Sequence, residues 1–222
     1  MLLQPQRQLI VEYGLKMIQS GLTTGSGGNL SILSKEDNLI AISPTGIDYH
    51  DVSIADVVVV DRSGKNIDGA CKPSSEIGFH LALYNNRPDI GAVVHTHSVY
   101  ATTLACLQWE IPAVHYLVAF SGTKVPLAPY ATFGTPELAE NVITSMGSYN
   151  AVLLANHGLV AVGRDMKGAF NVAEEIELVA RIYYQAKSLG EPVLVDGDEM
   201  RRVIDKFGSY GQQDNIKAGE NL

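Results

Sequence analysis

The sequence predicts an α/β protein, a single three-layer domain over 1–222 in which a central mixed or antiparallel sheet lies between helical layers. Two observations lead there. Segments with apolar residues at helical spacing alternate along the chain with short apolar runs bounded by turn residues. Several of those runs follow one another more closely than a parallel crossover permits. Size agrees with a self-sufficient core. The chain has 222 residues, 46% of them hydrophobic, and a chain of that length buries roughly 70–75% of its unfolded surface without help from a disulfide.

Each element has a local reason. Gln6–Ser20 carries Leu9, Ile10, Tyr13 and Met17 at helical spacing, and Gly21 stops it. Leu22–Ser31, with the run TTGSGGNLS, is a loop leading into a strand. Leu39–Ser43 and Val57–Asp61 are short strands, separated by SPTGIDY with its breakers Pro44 and Gly46. Pro73–Arg87 is expected as a helix with cap chemistry in Pro73-Ser74-Ser75-Glu76, an apolar stripe of Ile77, Leu81 and Tyr84, and Pro88 as terminator. Ile90–His97 is a strand ending in HTH, followed by a helix over Ser98–Leu107. Thr135-Pro136-Glu137 opens another helix. Ala151–Gly163 places NHG between two apolar runs, a strand–turn–strand unit. Asp165–Leu189 is a long helix closed by Gly190, and Glu199–Lys206 is a short one. The tail from about Gly208 is polar and expected to be mobile.

Charge narrows the function. Sixteen Lys and Arg against 24 Asp and Glu give a formal charge of −8, which argues against nucleic acid and anionic membranes as partners. No apolar stretch approaches the ~20 residues of a membrane helix. The opening residues lack a basic segment followed by an apolar run, so no signal peptide is expected. Cys71 and Cys106 are too few for a disulfide framework. A soluble, cytoplasmic protein is expected.

Among six histidines, His95 and His97 stand two apart on the predicted strand, so both side chains leave the same face. Their Cβ atoms then lie about 6.5–7 Å apart, close enough for two imidazoles to converge on one zinc-type ion. His157, at another strand end before Gly158, can be aimed back at the pair. Three histidines with an open position suit catalytic zinc, whereas coincidence on a half-buried strand is the alternative. Glu76, in the first turn of its helix, is favoured there by the helix dipole alone. Near a metal it could also carry a proton to and from a substrate carbon. Three segments suit an anion: Thr24–Asn29, whose glycines reach positive φ; the turn Ser43–Gly46; and Ser74-Ser75 at a helix N-terminus. None matches a Walker A or dinucleotide motif. Tyr116, Tyr130, Phe133 and Tyr210 are aromatics in or near loops.

Taken together, GSGGNLS, SPTGI, KPSSE, VVHTHS, IPAVHY, PYATFGT and LLANHGL, in this order, resemble the class II aldolase/adducin family over residues 6–210. The resemblance implies an α/β/α fold around a mainly antiparallel sheet and a homotetramer with active sites between subunits. It implies one Zn²⁺ per subunit on His95, His97 and His157, with Glu76 both close to the metal and the acid/base. It places substrate phosphate on Ser26, Asn29, Thr45, Gly46, Ser74 and Ser75. Tyr116, supplied by the neighbouring subunit, would protonate the aldehyde oxygen, and Phe133 and Tyr210 would shape the aldehyde end. The implied reaction is reversible cleavage of a small-molecule sugar phosphate, L-fuculose 1-phosphate, into dihydroxyacetone phosphate and L-lactaldehyde. Within the family, the rivals are 4-epimerisation of L-ribulose 5-phosphate, aldolases of related ketose phosphates, and a dehydratase acting on a methylthio-ketose phosphate. The epimerases carry an aspartate after the Ile-Pro turn, which Ile111–Val118 lacks. A non-catalytic adducin-like interaction module would have lost the three histidines.

Overall fold

The computed structural model describes residues 1–208. Eight strands form one sheet: β1 (Asn29–Ser34), β2 (Leu39–Ile42), β3 (Val58–Asp61), β4 (Asn66–Asp68), β5 (Ala92–Thr96), β6 (Leu127–Ala128), β7 (Ala151–Leu154) and β8 (Gly158–Gly163). Their order is β4-β3-β2-β1-β5-β8-β7-β6. Every pairing is antiparallel except β6 with β7, so the sheet is mixed but mostly antiparallel, as expected. The central strands are apolar on both faces because helices cover both. Val94, Leu159 and Ala161 join one buried cluster with residues of α1 (Gln4–Gln19), α3 (Val99–Cys106), α5 (Met166–Leu189) and α6 (Gly197–Phe207). Val93, Val160 and Val162 join the other, with residues of α2 (Ile77–Asn86) and α4 (Pro136–Met146). No described helix is long and apolar enough to cross a membrane.

The cap expected for α4 forms, and α5 starts on one as well. Thr135 Oγ1 accepts from Leu138 N–H and Asp165 Oδ1 from Gly168 N–H. The N-terminus of α3 is held differently: both Glu177 carboxylate oxygens, on α5, accept from the N–H groups of Tyr100 and Ala101. Three expectations need correction. The helix expected over Pro73–Arg87 begins only at Ile77, because its first residues are stitched to the end of β2. Ser74 N–H donates to the Ser43 carbonyl and Thr45 N–H to that of Lys72. Its fully buried face is Phe79, His80, Leu83 and Tyr84, with Ile77 and Leu81 at the margin. In α1, Leu9 is exposed, and the inward position three residues before Ile10 belongs to Arg7. The sequence reading also missed β4, β6 and a 3₁₀ helix over Tyr116–Phe120.

Arg7 is 1% exposed. It donates to the carbonyls of Leu2, Ile54 and Val57 and pairs with Asp68, fastening α1 to the β3–β4 edge. Replacing it by methionine keeps the stem but strips the donors from those carbonyls. Arg7→Met is predicted to cost about 2–4 kcal/mol, lowering the melting temperature by roughly 5–15 °C when unfolding is followed by circular dichroism.

Candidate functional site

Strand parity builds the site. His95 and Val93 leave β5 on the face covered by α2, and His97, just beyond the strand, follows the same parity. β1 pairs Asn29 with His95, which sets Asn29 beside the histidine end. His157 sits in the β7–β8 turn, where Asn156 takes φ +55°, a conformation asparagine tolerates better than most residues. Gly158 then lets β8 close on β5. A Cβ there would lie 2.3 Å from the Thr96 carbonyl oxygen and 3.1 Å from the His97 ring. Glu76 is the residue before α2, 6% exposed.

The four expected metal-side residues come together: one ligating atom from each of Glu76, His95, His97 and His157 lies within 4.8 Å of the others. His95 Nε2 is 3.1 Å from His97 Nε2 and 3.2 Å from Glu76 Oε2, and His157 Nε2 is 3.4 Å from Glu76 Oε1. His95 Nδ1 faces the Leu159 carbonyl at 3.0 Å. A carbonyl only accepts, so Nδ1 carries a proton and Nε2 is the nitrogen turned on the cluster. Burial foremost, with the His95 ring adding to it, pushes the His97 and His157 imidazoles down to about 4, so both are neutral ligands near pH 7. Burial alone would raise the Glu76 carboxyl. The adjoining His95 and His157 rings and the Asn29 amide donor overcome it and hold the group well below the usual carboxylate range. Three ring nitrogens and a carboxylate thus converge, and buried Glu76 Oε1 has no hydrogen-bond partner among the described residues. Facing lone pairs beside an ionised carboxylate need a cation between them, and this donor set fits zinc.

Beside the cluster is a cavity of about 200 Å³ lined by Ser26, Asn29, Thr45, Gly46, Ser74 and Ser75, and also by Glu76, His97, His157 and Phe133. Every residue expected on the phosphate side therefore meets the metal cluster in one space. No described lining residue is a lysine or arginine; hydroxyls, backbone N–H groups and the α2 N-terminus are the donors it offers to an anion. Gly28 (φ +67°) belongs to the same wall, and a Cβ there would lie 2.4 Å from the His95 carbonyl oxygen. Tyr116 is not part of this cavity. It lies in the 3₁₀ helix beside His115 and Phe207, half exposed. Tyr210 falls outside the described residues. Sequence reasoning gave no part to Ser31, His80 and Tyr84, which lie buried and hydrogen-bonded behind Asn29 and Glu76. The readable signal was spacing: 76, 80 and 84 recur every four residues and 29 and 31 every two, single faces of a helix and a strand.

Comparison with known proteins agrees. The family described as Class II Aldolase and Adducin N-terminal domain matches residues 8–184. The chain is 55% identical over 213 residues to a 5-deoxy-D-ribulose 1-phosphate aldolase of Bacillus thuringiensis serovar kurstaki, covering 96% of this chain and 100% of that relative. It is 41% identical to a 5-methylthioribulose-1-phosphate/5-deoxyribulose-1-phosphate aldolase of Rhodospirillum rubrum, covering 96% and 95%. A solved L-fuculose 1-phosphate aldolase superposes with a TM-score of 0.91 at 45% identity, covering 92% of this chain and 96% of that one.

The cluster generates a direct prediction. His95→Ala should leave the purified protein with little bound metal by elemental analysis; full metal content would remove His95 from the ligand set. Gly158→Ala should weaken metal affinity at least tenfold with every ligand residue retained, because its methyl group would lie 2.3 Å from the Thr96 carbonyl oxygen and 3.1 Å from the His97 ring and must spread β5 from β8.

Proposed function

The chain belongs to the class II aldolase and adducin family and is a metal-dependent aldolase, and we propose that it cleaves a 1-phosphorylated deoxyketose, with 5-deoxy-D-ribulose 1-phosphate as the leading substrate. The products would be dihydroxyacetone phosphate and acetaldehyde. The observation that carries this reading is the shared cavity: an anion cradle without basic side chains opens directly onto the His–Glu cluster. A ketose 1-phosphate has its anion two atoms from its carbonyl carbon, which such a compact space accommodates. The 55% identity to a 5-deoxy-D-ribulose 1-phosphate aldolase supports the choice of chain. L-Fuculose 1-phosphate, which the sequence motifs favour, is the second reading, supported by likeness to the solved L-fuculose 1-phosphate aldolase.

In this reading His95, His97 and His157 would hold one zinc ion per subunit with Glu76 beside it, and that ion supplies Lewis acidity for charge developing on the substrate carbonyl oxygen. Ser26, Asn29, Thr45, Gly46, Ser74 and Ser75 bind the phosphate, and this remote binding energy fixes the position of the reacting carbons. Glu76 manages one proton. In condensation its carboxylate removes a proton from C3 of dihydroxyacetone phosphate, and in cleavage it returns that proton after the C3–C4 bond has broken. Oε1 is suited to this because it is buried and unclaimed. In cleavage, the C4 hydroxyl loses its proton as C4 becomes the aldehyde carbon, and Tyr116 serves that oxygen. Tyr116 is exposed and apart from its own chain's cavity, which supports its entry from a neighbouring copy in a homotetramer. Phe133, lining the cavity yet 63% exposed, would border the aldehyde end.

The test is a substrate panel. Zinc-loaded protein is given 5-deoxy-D-ribulose 1-phosphate, 5-methylthioribulose 1-phosphate, L-fuculose 1-phosphate and L-ribulose 5-phosphate, and release of dihydroxyacetone phosphate is measured. The expected result is highest kcat/KM on the first and loss of activity on chelation, restored by zinc. Preference for L-fuculose 1-phosphate would move the assignment to the second reading, and epimerised product without fragments would overturn cleavage. Glu76→Gln is predicted to retain fold and metal while kcat falls by about 10²–10⁴.

A further inference from the structure

Behind the cavity, a chain of five side chains runs through the layer between α2 and the sheet. Tyr84 OH is 2.8 Å from Ser31 Oγ, Ser31 Oγ is 2.6 Å from His80 Nδ1, and His80 Nε2 is 2.5 Å from Asn29 Oδ1. Asn29 Nδ2 completes it by donating to Glu76 Oε2 at 2.9 Å. His80 and Ser31 are fully buried, and Tyr84 is 2% exposed. Phe79 stacks on the His80 ring at 4.6 Å and meets His95 edge-on at 5.5 Å, so the imidazole has no room to turn.

One constraint sets the direction of every bond. An ionised carboxylate only accepts, so Asn29 must present its NH₂ to Glu76. Its carbonyl oxygen then faces His80, which must donate from Nε2. A neutral imidazole with its proton on Nε2 has a bare Nδ1, so Ser31 donates to it. The single Ser31 proton is then used, and Tyr84 donates to Ser31. With His80 neutral, all four bonds between the five side chains are made in one arrangement only.

We propose that His80 is a positioning residue for Glu76: by donating from Nε2 to Asn29 Oδ1 it locks the Asn29 amide against a flip, so that one carboxylate oxygen always has a donor and the other stays free. Without that donor the amide can turn and set its own oxygen against the carboxylate. Glu76 would then lose its anchor on Oε2, and Oε1 its aim. Ser31 and Tyr84 act one step further back, keeping Nδ1 bare. This inference rests on the aldolase reading for its kinetic consequence but not for its structural one. Its test has arms of both kinds.

Protein labelled with ¹⁵N-histidine is examined by NMR without substrate, the His80 signals being assigned by their loss in His80→Gln. The expected result at pH 7 is a neutral ring protonated on Nε2 with Nδ1 bare. The opposite tautomer or a doubly protonated ring overturns the proposal. In kinetics, His80→Leu should lower kcat at least tenfold with KM and bound zinc within twofold. His80→Gln, whose amide can donate to Asn29, should recover to within threefold of the parent. Unchanged kcat in a folded, metal-loaded leucine variant overturns the role, as does equal impairment of both variants with KM and zinc falling together. If His80→Leu does not fold, Ser31→Ala replaces it: a kcat loss of threefold or more at constant KM and zinc sustains the relay, and no loss overturns it. Should no ketose phosphate be cleaved, the aldolase reading fails, while the tautomer still decides the relay.

Discussion

A buried carboxylate must be neutralised or held by donors and positive charge, because desolvation disfavours its ionised form. Glu76 is that group here, and the polar interior is arranged around it. Asn29 donates to one oxygen, and His95 and His157 approach both. These neighbours come from β1, β5 and the β7–β8 turn, while Glu76 stands ahead of α2. No local segment could supply them together. The carboxylate is therefore tolerable only in the assembled fold, which ties the chemistry of the site to the tertiary structure.

Topology makes this convergence possible. β5 lies between β1 and β8, so the strand carrying His95 has one neighbour bearing Asn29 and another introduced by His157. Antiparallel pairing on both sides brings the start of β1, the end of β5 and the start of β8 to one edge of the sheet. Stitching of Ser74 to Ser43 then sets the α2 N-terminus over that same edge. Closeness is reached at Gly28 and Gly158, where a Cβ would strike the β5 carbonyl oxygens of His95 and Thr96. The anion cradle and the metal cluster share a cavity because both are built from the ends of these strands.

Much of this was legible in the sequence, for physical reasons. His-x-His shows on a strand because alternate residues share a face, and the start of α4 was readable from Thr135, which does bond as a cap. The α2 start was misread because Pro73-Ser74-Ser75 has capping composition, yet the Ser74 N–H is drawn to the Ser43 carbonyl just after β2, outside any helix. β4 and β6 are too short, at three and two residues, to establish a period. Arg7 was invisible as a core residue because its burial depends on carbonyls about fifty positions away. The relay was hidden for a related reason. Ser31 reads as an ordinary strand residue and Tyr84 as an apolar one until β1 is laid against α2.

The formal charge of −8 would look adverse for a phosphorylated substrate, but distance and local chemistry decide the matter. Surface carboxylates act through solvent with a screening length of ≈ 8 Å at physiological ionic strength, whereas hydroxyls and helix-end N–H groups act at contact. Neutral donors also have an advantage that a lysine would lack. An ammonium group in this cavity would pair with Glu76 and occupy the oxygen left without a partner. With no basic side chain among the described lining residues, Glu76 answers to the histidines and to Asn29. A neutral lining is thus compatible with the carboxylate beside it, and the acidity of the distant surface does not count against an anion in the proposed site.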